Sequence, residues 1–127
     1  LKIVIETIPH ASQRYETCGD YWTDAEGTRH IAISDTGSDD DAFLIAIHEL
    51  IEQHLTERRG ISEEEITAFD TEFEAKRTAY DLSEPGDDPK APYQNEHNFA
   101  TGIERLLCSQ LDIPWQEYND TVEGLRE

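Results

Sequence analysis

The sequence predicts an α+β domain, a small antiparallel N-terminal sheet followed by three to four helices. Three observations carry this. The β-branched runs and a hairpin signal are confined to residues 1–37, which read as mainly β. Residues 38–127 read as mainly α, with apolar residues at helical spacing between recognisable start and stop signals. A length of 127 residues suits a single domain over 1–127 with one buried core.

Element by element, Lys2 to Ile8 carries the run Ile3-Val4-Ile5 and reads as a strand. Tyr21-Trp22-Thr23 and Thr28 to Ser34 flank Asp24-Ala25-Glu26-Gly27, a turn-forming tetrad, and read as a hairpin. Ile31 and Ile33 share one face at period two. Ser38, or an adjacent Asp, caps a helix running to about Arg59, with Asp39-Asp40-Asp41 against its positive end. Gly60 stops it. Ser62 and Glu65 have capping-box spacing and start a second helix, expected to reach about Tyr80. Glu84 to Pro92 holds three prolines and a glycine and reads as a loop. A third helix is expected from about Tyr93 to Leu111, and Pro114 fits the first turn of a short fourth.

Composition narrows the function classes. Ten Lys and Arg stand against 29 Asp and Glu, a formal net charge of −19. A surface so acidic does not capture phosphate backbones, so direct nucleic-acid binding is not expected. No apolar run approaches the ~20 residues of a spanning helix, so no membrane partner is expected. Leu1 to Glu6 lacks the apolar run of a signal peptide, and the expected compartment is the cytoplasm. The two cysteines, Cys18 and Cys108, make no disulfide framework and read as free thiols.

The informative residues are polar ones placed where a core belongs. On a helical wheel with His48 at zero, Leu44, Ile51 and Leu55 lie within about 60° on one side and Glu52 about 40° away on the other. His48 and Glu52 therefore share the core-facing stripe at i and i+4, the spacing at which two side chains reach one metal ion. The third helix repeats the pattern, since His97 and Glu104 lie in a stripe with Ala100, Leu107 and Leu111. Asp70 and Arg77 fall among Ile66, Phe69, Phe73 and Tyr80 on the second. A hydrophobic core tolerates such groups only when they pair with each other or with a cation. Glu104 and Asp70 are candidates for an additional ligand or for fixing a histidine tautomer.

The segment His48-Glu49-Leu50-Ile51-Glu52 resembles the HExxH helix of zincin metallopeptidases, with glutamate in place of the second histidine. The resemblance implies that His48 and Glu52 bind zinc, that Glu49 acts as general base, and that His97 is the ligand from a later helix. It also implies a preceding strand, here Ile31 to Ser34, and a zinc-dependent hydrolase whose substrate is a peptide. On the wheel Glu49 lies about 100° from His48, an angle that suits either solvent or a place beside the metal's water. The glutamate at 52 departs from the family pattern and bears on the peptidase activity more than on metal binding.

Other readings fit less of the chain. A carboxylate-bridged metal pair needs Glu-x-x-His on facing helices, and none is present. A magnesium pyrophosphohydrolase needs a glutamate where Thr67 precedes Asp70. The alternative of another class is an acidic interaction or inhibitor protein, of the kind phages and mobile elements encode, with the inner polar cluster as a structural network. Metal content separates the two.

Overall fold

In a computed structural model, which describes residues 1–125, a three-stranded sheet is followed by four helices. The strands are β1 (Ile3–Ile8), β2 (Gly19–Thr23) and β3 (Arg29–Ser34). The helices are α1 (Asp39–Arg58), α2 (Glu63–Ala75), α3 (Gln94–Gln110) and α4 (Trp115–Gly124). The α+β class is as the sequence predicts.

The sheet differs from expectation in one respect: it is mixed, not antiparallel. Its order is β1-β3-β2, with β3 antiparallel to β2 and parallel to β1. Burial explains the order. Ile31, Ala32, Ile33 and Ser34 are each 4% exposed or less, so β3 is covered on both faces and takes the centre. Ile3 and Ile5 of β1 are 38% and 47% exposed, which suits an edge. The hairpin of β2 and β3 forms as predicted, closed by Gly27 at φ 86°.

The helix starts follow the sequence. Ser38 accepts from the Asp41 N–H and Ser62 from the Glu65 N–H, each satisfying a donor that the first turn cannot. Pro114 stands just before α4 rather than within its first turn. α2 ends at Ala75, short of Tyr80, which is fully exposed. The cause is Arg77, which grips both Glu74 oxygens at 2.7 and 2.8 Å and donates to the carbonyls of Asp81 and Ser83. Those carbonyl contacts turn the chain out of the helix. Of that predicted face, Ile66 and Asp70 are buried.

α1 lies between the sheet and α3. Ile31, Ile33, Leu44, Ile45, Cys108, Tyr118 and Val122 form the apolar core at one end of this sandwich. Its middle is polar. The buried face of α1 is Leu44, Ile45, His48, Glu49, Glu52, Gln53 and Thr56, while Ile51 and Leu55 are only half-buried. The stripe is rotated from the apolar side toward the carboxylates, so the second half of α1 turns Glu49 and Glu52 rather than Ile51 and Leu55 into the domain.

Candidate metal centre

Three side chains converge between α1 and α3. His48 Nε2 lies 2.9 Å from Glu52 Oε2, His97 Nδ1 lies 3.0 Å from the same oxygen, and the two ring nitrogens are 3.2 Å apart. All three residues are buried, at 6%, 5% and 5% exposure. Ligand atoms of a tetrahedral zinc, each ~2.0–2.2 Å from the ion, stand ~3.3 Å from one another. The observed triangle is close to that size, so His48, Glu52 and His97 form a group that could hold a metal ion.

Regular structure sets this geometry. The i, i+4 spacing places His48 and Glu52 one above the other on α1, and the packing of α3 on α1 brings in His97. Each of the three has a further partner on its far side. His48 Nδ1 bonds Glu104, whose other oxygen accepts from Tyr118 at 2.6 Å. His97 Nε2 faces Glu84 at 3.0 Å and Asp87 at 3.2 Å. Glu52 Oε1 accepts from the Tyr21 hydroxyl at 3.1 Å. A carboxylate on the outer nitrogen of a ligand histidine fixes its tautomer and raises its basicity. Glu104 thus stands behind the triangle rather than in it.

Glu84 and Asp87 come from the segment read as loop. There Pro85–Asp87 form one 3-10 turn. Asp87 Oδ2 accepts from the Glu84 N–H at 3.3 Å, leaving Oδ1 for His97. Gly86 lies flat on the histidine: a Cβ there would stand 2.4 Å from His97 Cγ. The same residues and His97 Nε2 form a second, more open group of potential ligands. Helical periodicity could not reveal this clamp. The signal present was Glu and Asp three apart around Pro-Gly.

The charges are coupled. Burial disfavours an imidazolium at His48, but the bonded carboxylates of Glu104 and Glu52 outweigh it and hold the pKa well above its usual value. At His97 burial is likewise overcome, by Asp87, Glu52 and Glu84. Burial would raise Glu52, yet its bonds to the two rings pull it down to about 2. His97 also draws Asp87 down, and draws Glu84 down against its burial. Without metal the bonded carboxylates therefore favour the protonated form of each ring. Exchange of the two inner protons for a cation leaves the outer bonds in place.

Glu49 is buried, at 9% exposure, and not turned to solvent. Its carboxylate packs on Gly19, where a Cβ would stand 2.7 Å from Glu49 Cγ and Oε1. Burial and the neighbouring Glu52 charge push its pKa well above the usual range. Asp70 is 6% exposed but bonds neither histidine; it accepts from Tyr93 at 2.5 Å and Tyr15 at 3.4 Å, and burial raises it to about 7. His54 is exposed beside Arg29, while His10 and His30 bond Ser34 and Asp24 in the sheet region. A cavity of about 370 Å³ opens on the triangle, bordered by Gly19, Tyr21, Glu49, Asp70 and Tyr93. Among the described residues, no helix is long and apolar enough to cross a membrane. No protein family, curated protein or solved structure matches the chain.

Proposed function

We propose that this protein is a zinc-dependent hydrolase of zincin-like design, with His48, Glu52 and His97 as ligands, Glu49 as general base and a peptide as substrate. The observation that supports it best is the complete set of outer partners. Glu104, Tyr21, Glu84 and Asp87 hold the ligand side chains at the atoms away from the triangle. A structural salt-bridge network needs no cavity, whereas this one borders a space large enough for a substrate group.

Zinc in a His₂Glu set with an open position supplies Lewis acidity at neutral pH. The chain's own residues do the rest. Glu49 sits one residue from a ligand, in the same cavity wall, and holds a carboxylate whose burial favours proton uptake. Gly19 leaves room for it. Tyr21 and Glu104 keep Glu52 and His48 from rotating. β2 is an edge strand, and its residues Gly19, Asp20 and Tyr21 border the cavity, so an extended peptide can lie along it.

The test pairs two glutamates of one motif. Protein loaded with zinc is assayed on a mixed peptide library, with metal measured by elemental analysis. Glu49→Gln is expected to keep zinc and melting temperature and to lose roughly 10²–10⁴ in rate. Glu52→Ala is expected to lose the zinc. Activity that survives Glu49→Gln removes Glu49 from the mechanism, and zinc retained in Glu52→Ala sinks the site.

A further inference from the structure

The cavity has a second polar centre away from the triangle. Asp70 lies in its wall on α2, 6% exposed, between the hydroxyls of Tyr93 and Tyr15. The Tyr93 ring joins the two centres, lying edge-on to His97 with centroids 6.2 Å apart. Each Asp70 oxygen takes one hydroxyl bond and so keeps a lone pair free. Among the described residues no cation is bonded to it. Ile66 and Tyr21 complete an apolar and aromatic surround.

Further acidic side chains share the wall, which also holds His48 and His97 of the triangle. Glu49, nine-tenths buried, faces the same space without a hydrogen-bond partner among the described residues. Glu16, Glu63 and Glu84 also line it. Among the described lining residues Arg105 alone carries a guanidinium, and that group lies over the Trp115 ring, 4.7 Å from its centroid. A buried carboxylate flanked by tyrosines is a poor place for an anion or an aliphatic group. It suits a cation, which gains a charged hydrogen bond to Asp70 beside the two hydroxyls.

We infer that the cavity selects a substrate carrying a basic side chain, lysine or arginine, whose charged head is recognised by Asp70 between Tyr15 and Tyr93. The inference rests on the hydrolase reading only for the word substrate, because recognition of the cation does not need the metal to act. Asp70 is then a specificity-determining residue. The dimensions agree, since a cavity of about 370 Å³ takes one long side chain together with the adjoining backbone.

The test uses zinc-loaded protein and capped alanine pentapeptides with a central lysine, arginine, norleucine or glutamate. Binding is measured by calorimetry and cleavage by mass spectrometry on the same peptides. The basic peptides are expected to bind roughly tenfold to a hundredfold more tightly than norleucine, the worth of a charged hydrogen bond. Asp70→Asn, which keeps an acceptor for Tyr93, is expected to erase that preference. Equal binding of lysine and norleucine by the unaltered protein overturns the inference, as does no measurable binding of any peptide. A preference that persists in Asp70→Asn overturns it too. Spermidine binding as tightly as the lysine peptide would assign the pocket to free polyamines and overturn the peptide source. Lysine preference without cleavage supports this inference while removing the hydrolase reading. Cleavage without preference does the reverse.

Discussion

Two regions of the chain build the same triangle in opposite ways. α1 supplies two of the candidate ligands from one regular helix, at positions dictated by 3.6-residue geometry. The Glu84–Asp87 turn supplies no member of the triangle and grips the third from behind. A helix delivers atoms by repetition, so its contribution costs no special loop conformation. The turn delivers two carboxylates and a bare backbone face to one imidazole, using Pro85 to set the turn and Gly86 to approach the ring. The difference teaches where precision comes from: the helix fixes which atoms meet, and the turn fixes how His97 is oriented.

The comparison breaks most visibly at the helix. His48→Ala removes a candidate ligand and leaves Glu52 and Glu104 buried without their shared partner. Zinc measured by elemental analysis should fall from stoichiometric to near zero. The melting gain from added zinc should vanish with it, a linkage of about 4 kcal/mol when free metal is a thousandfold above its dissociation constant. Retention of zinc in His48→Ala would remove α1 from the site.

Changes in the turn should be smaller and graded. The paired variant Glu84→Gln with Asp87→Asn leaves the triangle intact but weakens what orients His97. Its zinc affinity, measured by competition with a chelator, should fall roughly 10–100-fold, the usual cost of losing such partners. Gly86→Ala reaches the same ring by steric means, since its Cβ meets His97 Cγ and Nδ1 at 2.4 and 2.5 Å. The ring must shift, so affinity should drop and stability should fall by about 1–3 kcal/mol, the range for overpacking. A turn that matters only as a linker would leave affinity unchanged in both variants.

The same contrast explains what the sequence disclosed. Helix starts at Ser38 and Ser62, the hairpin, and the inward placement of His48, Glu52, His97 and Glu104 all rest on short-range periodicity or capping, which one sequence carries. The parallel pairing of β1 with β3 depends on which strand takes the centre, a property of the packed sheet. The early end of α2 depends on Arg77 reaching carbonyls beyond the helix. Glu49 reads as borderline on the wheel because apolar residues locate a buried face only when the neighbours are apolar. Here the neighbour of α1 is a polar cavity, so the buried stripe is rotated toward Glu49 and Gln53. Tyr21, Tyr118, Glu84 and Asp87 lie 10 or more residues from the groups they hold. No local pattern links such pairs.

The smallest effect is the most discriminating, because it gives the metal-free and metal-loaded proteins different slopes with pH. In metal-free protein both ring pKa values are raised by bonded carboxylates. A raised histidine adds stability that is fully present below the unfolded value near 6.5 and is lost as pH rises toward the folded one. Each ring then contributes a loss of about 1.4 kcal/mol per pH unit at most, over the part of that window where the unfolded chain has lost its proton and the folded one has not. Glu52, lowered to about 2, acts on the other side: its contribution is present above about 4.5 and lost as pH falls through about 2. Metal-free stability, from denaturant titrations with chelator present, should therefore decline above pH ~6.5. Zinc removes that decline, because it displaces the two inner protons: the loaded fold has no such proton to lose above pH ~6.5, and its stability instead rises with pH below that value, where zinc should leave as pH falls through the histidine range, near 6 or below. The turn variant sharpens the contrast. Without the Glu84 and Asp87 charges the His97 pKa should fall toward its ordinary value, so the metal-free slope above pH ~6.5 should shrink by about one ring's share while the contribution of His48 remains. An unchanged slope would mean that the turn does not hold His97 by charge, and that the helix alone sets the protonation of the site.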